Sequence, residues 1–412
     1  MEYQQQLVQD LFLLQRVAQR LNRNLDIDDL LSEIVDDVSQ TFGCSRLAVL
    51  LKDETTNDLV VGADCGGDFN QHIKGERFKV GEYGMTGHVG ATGETYYAPD
   101  VSVDPYYKVS DSQTQSEVDI PLRSQGRLIG VLNAQSKELD GFPKARIELL
   151  ESLAGHIATA IDNARLFQAE RREKERMAEE LREAQRIQQA LFPGNDPAVS
   201  HFAVHGQCVP CREVGGDWYD YIPLSDGRLG IVLADVSGKG LGAALLMSST
   251  RTVTRLVAES GRSPGQVLEQ VNRILLNDFP STKFVTMVYA VLDPVEGVLT
   301  FSNAGHPPPV LTRHGETHLM ETVSGIPLGI EAGHYSERSL SFGAHERFIF
   351  YSDGVTEAMN ASQGLFGLDR LRASLVKPSA TVATMLDDVR TFVAGHQATD
   401  DITFVTVERR EE

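Results

Sequence analysis

Arg228-Leu229-Gly230-Ile231-Val232-Leu233-Ala234-Asp235-Val236-Ser237-Gly238-Lys239-Gly240 is an unbroken apolar run that stops on a carboxylate and then meets closely spaced glycines. Such a run reads as a buried strand ending on Asp235. The glycines permit a tight turn and let backbone carbonyls and waters come close to a bound ion. Further along, Arg347-Phe348-Ile349-Phe350-Tyr351-Ser352 repeats the pattern before Asp353-Gly354, and two more segments place carboxylates beside glycine or a strand: Glu213-Val214-Gly215-Gly216-Asp217 and Asp400-Asp401-Ile402-Thr403. Asp-Gly alone is a common hairpin signal, so one such segment carries little weight. Four together read as one site. Hard cations such as Mg²⁺ and Mn²⁺ take oxygen ligands and keep several waters, so a few carboxylates on rigid strand ends suffice.

At 412 residues the chain is too long for one ordinary core, and two or three domains are expected. A formal charge of −20 and a pI near 5.0 disfavour partnership with nucleic acid or an anionic membrane. No stretch approaches the roughly 18 apolar residues of a membrane span, and Met1-Glu2-Tyr3-Gln4 lacks the basic start of a signal peptide, so a cytoplasmic protein is expected. Four cysteines do not suggest a disulfide framework. Cys208 and Cys211 form a C-x-x-C without further zinc ligands at suitable spacing, and they read as bystander thiols.

Leu7, Leu11, Leu14, Ala18 and Leu21 form the seam of an amphipathic helix over residues 1–23. A helix and β-rich runs such as Leu47–Leu51 follow, closing with a helix that begins near Pro143. Its apolar positions Leu150, Leu153, Ile157, Ala160, Ala164 and Phe167 lead into the charged, turn-free stretch Arg171–Arg176 and then Met177, Leu181, Ala184 and Leu191. This predicts a connecting helix over 167–192, pairing as a coiled coil or standing as a solvated single helix. Pro193, Gly194 and Pro197 close it, and strands alternating with two helical stretches, near Leu241–Ser260 and Pro264–Leu276, fill 193–412.

With these residues in place, the C-terminal half resembles the PPM (type 2C) phosphatases. The motifs, in order, are Gly215–Asp220, Asp235–Gly240, Phe284-Val285-Thr286, Asn303-Ala304-Gly305-His306, Tyr351–Ala358 and Asp400–Thr403, and they look most like the bacterial stage II sporulation protein E and stress-response branch. The resemblance implies an α-β-β-α sandwich with two Mn²⁺ or Mg²⁺ ions at one end. Asp235 would bridge both ions, the Val236 carbonyl would add a ligand to one, and Asp353 and Asp400 would complete the other shell. Asp217 would act directly or through a bound water, with Asp401 as a neighbour. Two such ions would acidify a bridging water for in-line attack on phosphoserine or phosphothreonine. Eukaryotic members carry a histidine soon after the bridging aspartate and an arginine for phosphate; here Ser237 follows Val236, and Arg212 is the nearby arginine. His306 reads as a general acid or as part of a rigid turn before Pro307-Pro308-Pro309.

Residues 24–166 resemble a GAF domain, on Leu25–Leu31, Gly87-His88-Val89, Pro121-Leu122, Ile129–Asn133 and Ile161–Leu166. The overall fold class expected is therefore α+β. Asn133, Lys137 and Phe142 begin the pattern of cyclic-nucleotide binders, but Arg146-Ile147 stand where an acidic pair belongs. Cys65, expected in a glycine-rich loop, reads as an inert lone cysteine, with a chromophore or redox role as the alternative; a small-molecule ligand and an empty dimer scaffold are the readings for the domain. Together these imply a GAF-controlled serine/threonine phosphatase acting on a phosphorylated regulatory protein, such as an anti-sigma-factor antagonist, and working as a homodimer. The competing readings are a non-catalytic phosphoprotein-binding scaffold and a hydrolase of a small phosphoester.

Overall fold

The computed structural model describes residues 26–410 apart from 67–72, 83, 110–111, 279, 281, 322–324, 378–379 and 397. The helix expected over 1–23 lies outside them. The chain divides into two compact units between Arg176 and Met177.

In the N-terminal unit, α1 (Ile27–Phe42) starts where the Asp26 carboxylate accepts N–H bonds from Asp28 and Asp29, and ends at Gly43 with φ 62°. That left-handed residue is where glycine is favoured. Six strands follow: β1 (Arg46–Lys52), β2 (Asp58–Gly66), β3 (Arg77–Lys79), β4 (Tyr96–Ala98), β5 (Ser116–Ser124) and β6 (Arg127–Ser136), in the order β3-β2-β1-β6-β5-β4, with α2 (Gly84–Thr92) between β3 and β4. Leu47, Val49, Val118, Ile120, Leu132 and Ala134 point to one face, where Leu30, Ile34 and Val38 of α1 and Leu150, Ile157 and Ile161 of α3 (Lys144–Gln189) bury them. The opposite face is polar at its centre. Cys65 lies in β2, not in a loop, and its Sγ donates to the Val35 carbonyl; burial raises the thiol's pKa, so it is an inert core group.

α3 begins one residue after Pro143, as its sequence predicts, and the boundary between the two units falls inside it. Its charged stretch pairs within the helix, Arg171 with Glu175, Lys174 with Glu170 and Arg176 with Glu173.

The C-terminal unit stacks two antiparallel sheets. One has the order β14-β11-β10-β9-β8 and the other β13-β12-β15-β16-β7, where β7 is Phe202–Val209, β8 Trp218–Pro223, β9 Leu229–Val236, β10 Val285–Asp293, β11 Val298–Ala304, β12 Val310–Arg313, β13 Glu316–Leu319, β14 Arg338–Ser341, β15 Arg347–Tyr351 and β16 Ile402–Arg409. The apolar run Leu229–Ala234 is buried on both faces. Ile231 and Leu233 face the other sheet, while Val232, Ala234 and Val236 face α4 (Leu241–Ala258) and α5 (Pro264–Asp278). Asp220 of β8 ties α4 to the sheet through ion pairs with Arg251 at 3.0 Å and Arg255 at 2.7 Å. The second sheet's outer face is covered by α6 (Asp353–Thr356), α7 (Gly367–Leu375) and α8 (Val382–Val393). These correct the expectation of only two helical stretches: α6 is a single turn, and α7 is nine residues long with three periodic leucines, Leu368, Leu371 and Leu375.

Candidate active site

Strand direction gathers the carboxylates. β8 and β9 are antiparallel neighbours, so Asp217, just before β8, and Asp235, at the end of β9, share one edge of their sheet. β15 and β16 are antiparallel neighbours too, so Asp353, just after β15, and Asp400, just before β16, share one edge of theirs. The two edges face each other. Asp235 is pushed up to about 7, first by burial and then by the charges of Asp353 and Asp400. Burial and then Asp400 raise Asp353, while burial and then Asp235 raise Asp217, whose Oδ2 accepts a 2.6 Å hydrogen bond from the Thr403 hydroxyl. Buried like charges held this close call for a cation.

A cradle also exists between the ligands. A Cβ on Gly216 would stand 2.7 Å from the Val236 carbonyl oxygen and 3.2 Å from Asp235 Oδ1, so only glycine keeps that space clear. An all-oxygen donor set of this kind fits Mg²⁺ or Mn²⁺. Asp401, by contrast, has other work. Its Oδ1 accepts the Cys211 N–H at 2.8 Å, and its Oδ2 accepts those of Gly216 at 2.7 Å and Asp217 at 3.2 Å. It is 4% exposed and holds the Cys211–Asp217 loop against β16. A Cβ on Gly215 would strike this carboxylate, which accounts for the paired glycines.

Cys211 Sγ lies within 4.8 Å of ligand oxygens of Asp400 and Asp401. Burial and then Asp401 push its pKa up to about 11, so it stays a thiol, and all four cysteines are free.

Three cations rim the site. Lys239 pairs with Asp400 at 2.9 Å and donates to the Thr399 carbonyl. Lys283 donates to the Ser237 carbonyl at 2.8 Å. Arg212 is exposed, with a guanidinium nitrogen 4.0 Å from the position a Cβ on Gly240 would take. His306 is buried. Burial drives its pKa down to about 3, its Nδ1 shares a 2.8 Å hydrogen bond with Thr286, and its N–H donates to Asn303, so it braces the Asn303–His306 turn.

Sequence reasoning missed one contact at the end of α3. The Gln188 side chain donates to the Gly215 carbonyl at 2.7 Å and accepts the Gly215 N–H at 3.1 Å. A signal was present: the seam Met177, Leu181, Ala184, Leu191 skips position 188, where the next apolar residue was due.

Residues 225–410 match the family model for stage II sporulation protein E (SpoIIE), and residues 24–162 match a GAF domain model. The chain is a GAF domain joined to a SpoIIE-type PPM phosphatase domain. PPM phosphatases are metal-dependent, using magnesium or manganese. Phosphoserine phosphatase RsbU of Bacillus subtilis is 29% identical over 43% of this chain and 53% of its own length. Phosphoserine phosphatase RsbP of the same organism is 28% identical over 48% of this chain and 49% of its own. The chain thus spans about half the length of these curated relatives. In fold, the PPM domain is similar to the SiaA-PP2C domain of Pseudomonas aeruginosa, with a TM-score of 0.50 at 18% identity over 58% of this chain and 98% of that one. Among the described residues, no helix is long and apolar enough to cross a membrane.

Proposed function

We propose that this protein is a metal-dependent phosphatase that hydrolyses phosphoserine or phosphothreonine on a regulatory protein, under control of its GAF domain. The observation that carries the reading is the convergence of Asp217, Asp235, Asp353 and Asp400 from four separate chain segments, with Gly216 keeping the space beside Asp235 and the Val236 carbonyl clear. Asp235, the Val236 carbonyl, Asp353 and Asp400 would hold two Mn²⁺ or Mg²⁺ ions, and Asp217, buried and held by Thr403, would act directly or through water. Such ions supply Lewis acidity and an acidified water as nucleophile. Arg212 and Lys239 stand where they would meet an incoming phosphate, and Lys283 braces the Ser237–Gly238 turn.

Two relatives bear the name phosphoserine phosphatase, which supports a phosphoprotein substrate such as an anti-sigma-factor antagonist. In this reading the domains run 24–166 and 193–412, preceded by a helix over 1–23 and joined by a helical linker over 167–192. Control passes from the GAF domain through that linker to α4 and α5, with Gln188 touching the metal loop directly. Exposed Leu166, Phe167, Met177 and Ile187 on α3 support pairing of two linkers in a cytoplasmic homodimer.

The test is turnover of p-nitrophenyl phosphate and of a phosphoserine peptide with Mn²⁺. Both activities should disappear in Asp235→Asn and Asp353→Asn. Absence of metal-dependent turnover on either substrate would favour the phosphoprotein-binding scaffold, and turnover confined to the small ester would favour a small-molecule hydrolase.

A further inference from the structure

The N-terminal domain encloses a cavity of about 280 Å³ on the sheet face away from α1 and α3. Strand register explains its make-up. Arg46 pairs with Gln135, Ala48 with Asn133, Glu117 with Gln135 and Asp119 with Asn133, so alternate residues of β1, β5 and β6 point to this face. The result is a buried polar floor under an apolar wall that includes Leu50, Phe78 and Met85.

Two carboxylates stand on the floor beside Arg46, whose guanidinium is engaged by Asp64. Glu117 is 5% exposed and Asp119 is fully buried. The Asn133 amide donates to Glu117 at 2.8 Å and to Asp119 at 2.9 Å, Gln135 donates to Glu117 at 3.1 Å, and the Thr86 hydroxyl donates to Asp119 at 3.3 Å. All of these donors are neutral. Arg46 faces Asp64 at 3.7 Å, each side chain nearly buried, while Glu76 and Lys108 line the rim. Burial and the neighbouring Asp119 raise Glu117 well above the usual carboxylate range, and burial raises Asp119 to about 7. Two buried carboxylates sharing one neutral amide favour a proton or a cation beside them.

We propose that this cavity binds a small molecule carrying a protonated amine, its ammonium seated on Glu117 and its aliphatic body lying among Leu50, Phe78 and Met85. Asp119 is a positioning residue: together with Glu117 it orients the Asn133 amide, which leaves Glu117 facing the cavity. A cavity of this size, with convergent polar groups on one side and apolar groups on the other, lies near the roughly 300 Å³ lower bound of small-molecule sites. The inference stands apart from the phosphatase reading, because its readout is binding to the N-terminal domain.

Calorimetric titration of the full chain in EDTA at pH 8, with n-pentylammonium, pentanoate and 1-pentanol as probes, tests it. Saturable binding is expected for the amine alone, with Glu117→Gln weakening it at least tenfold, a loss of about 1.4 kcal/mol. Ala48→Met, which fills the cavity from β1 without touching a charge, should also abolish binding. Pentanoate or pentanol binding as tightly as the amine overturns the proposal, as does absence of amine binding or wild-type affinity in Glu117→Gln. If that variant does not melt cooperatively, Ala48→Met decides, and wild-type affinity there is the overturning result.

Discussion

At the residue scale, neighbouring carboxylates do opposite jobs. Asp400 accepts the Asp401 N–H on Oδ1 and pairs with Lys239 through Oδ2, whereas Asp401 gives its oxygens to three backbone N–H groups of other residues and shapes the loop that presents Asp217. Spacing cannot separate them, since they are adjacent in sequence; only the direction of each side chain at the start of β16 does. Asp119 gives a pH prediction at the same scale. Its folded pKa of about 7 exceeds the ordinary 3.8, so the folded state holds a proton that the unfolded chain has lost between these values. That contribution is fully present below about pH 4 and is lost as pH rises through 7. The melting temperature of the N-terminal domain should therefore fall between pH 4 and 7, and Asp119→Asn should flatten the slope; scanning calorimetry across that range measures both.

At the element scale, the decisive contact is between the end of α3 and the Gly215-Gly216 turn. A helix end that both donates to and accepts from one residue's backbone sets that residue's position, and Asp217 follows two residues later. Gln188→Leu keeps the volume and removes both bonds. It leaves a buried N–H and C=O without partners, a cost of about 1–3 kcal/mol for each. The expected outcome is a phosphatase that needs roughly tenfold more Mn²⁺ for half-maximal rate, about 1.4 kcal/mol of ligand positioning. A metal titration curve superimposable on wild type would mean that the clamp is only structural. Helix content was legible in α1, α4 and α5 and missed in α6 and α7, which are too short to stand out; α8 was missed although Val382, Met385, Leu386, Val389 and Val393 form a full stripe.

At the scale of the whole molecule, the helix α3 presents apolar groups to solvent along a stretch whose charges are paired within the helix. Light scattering at micromolar concentration should give the mass of a dimer, and Leu166→Lys with Met177→Lys should give a monomer. A wild-type monomer would remove dimerisation from the regulatory reading.

The two-domain plan, the strand ends and the four metal-binding candidates were all readable in the amino-acid order, because an apolar run stopping on Asp235 or Asp353 and a carboxylate just before a strand, as at Asp217 and Asp400, are local patterns. Tertiary structure decided which groups meet. Asp401 finds the N–H of Gly216 across 185 positions, Asp217 finds Thr403 across 186, and Gln188 reaches Gly215 across 27. It also placed Glu117 and Asp119 over one cavity and made His306 a buried brace. Burial and pairing arise only when distant segments close on each other, and they set the charge and the role of each of these side chains.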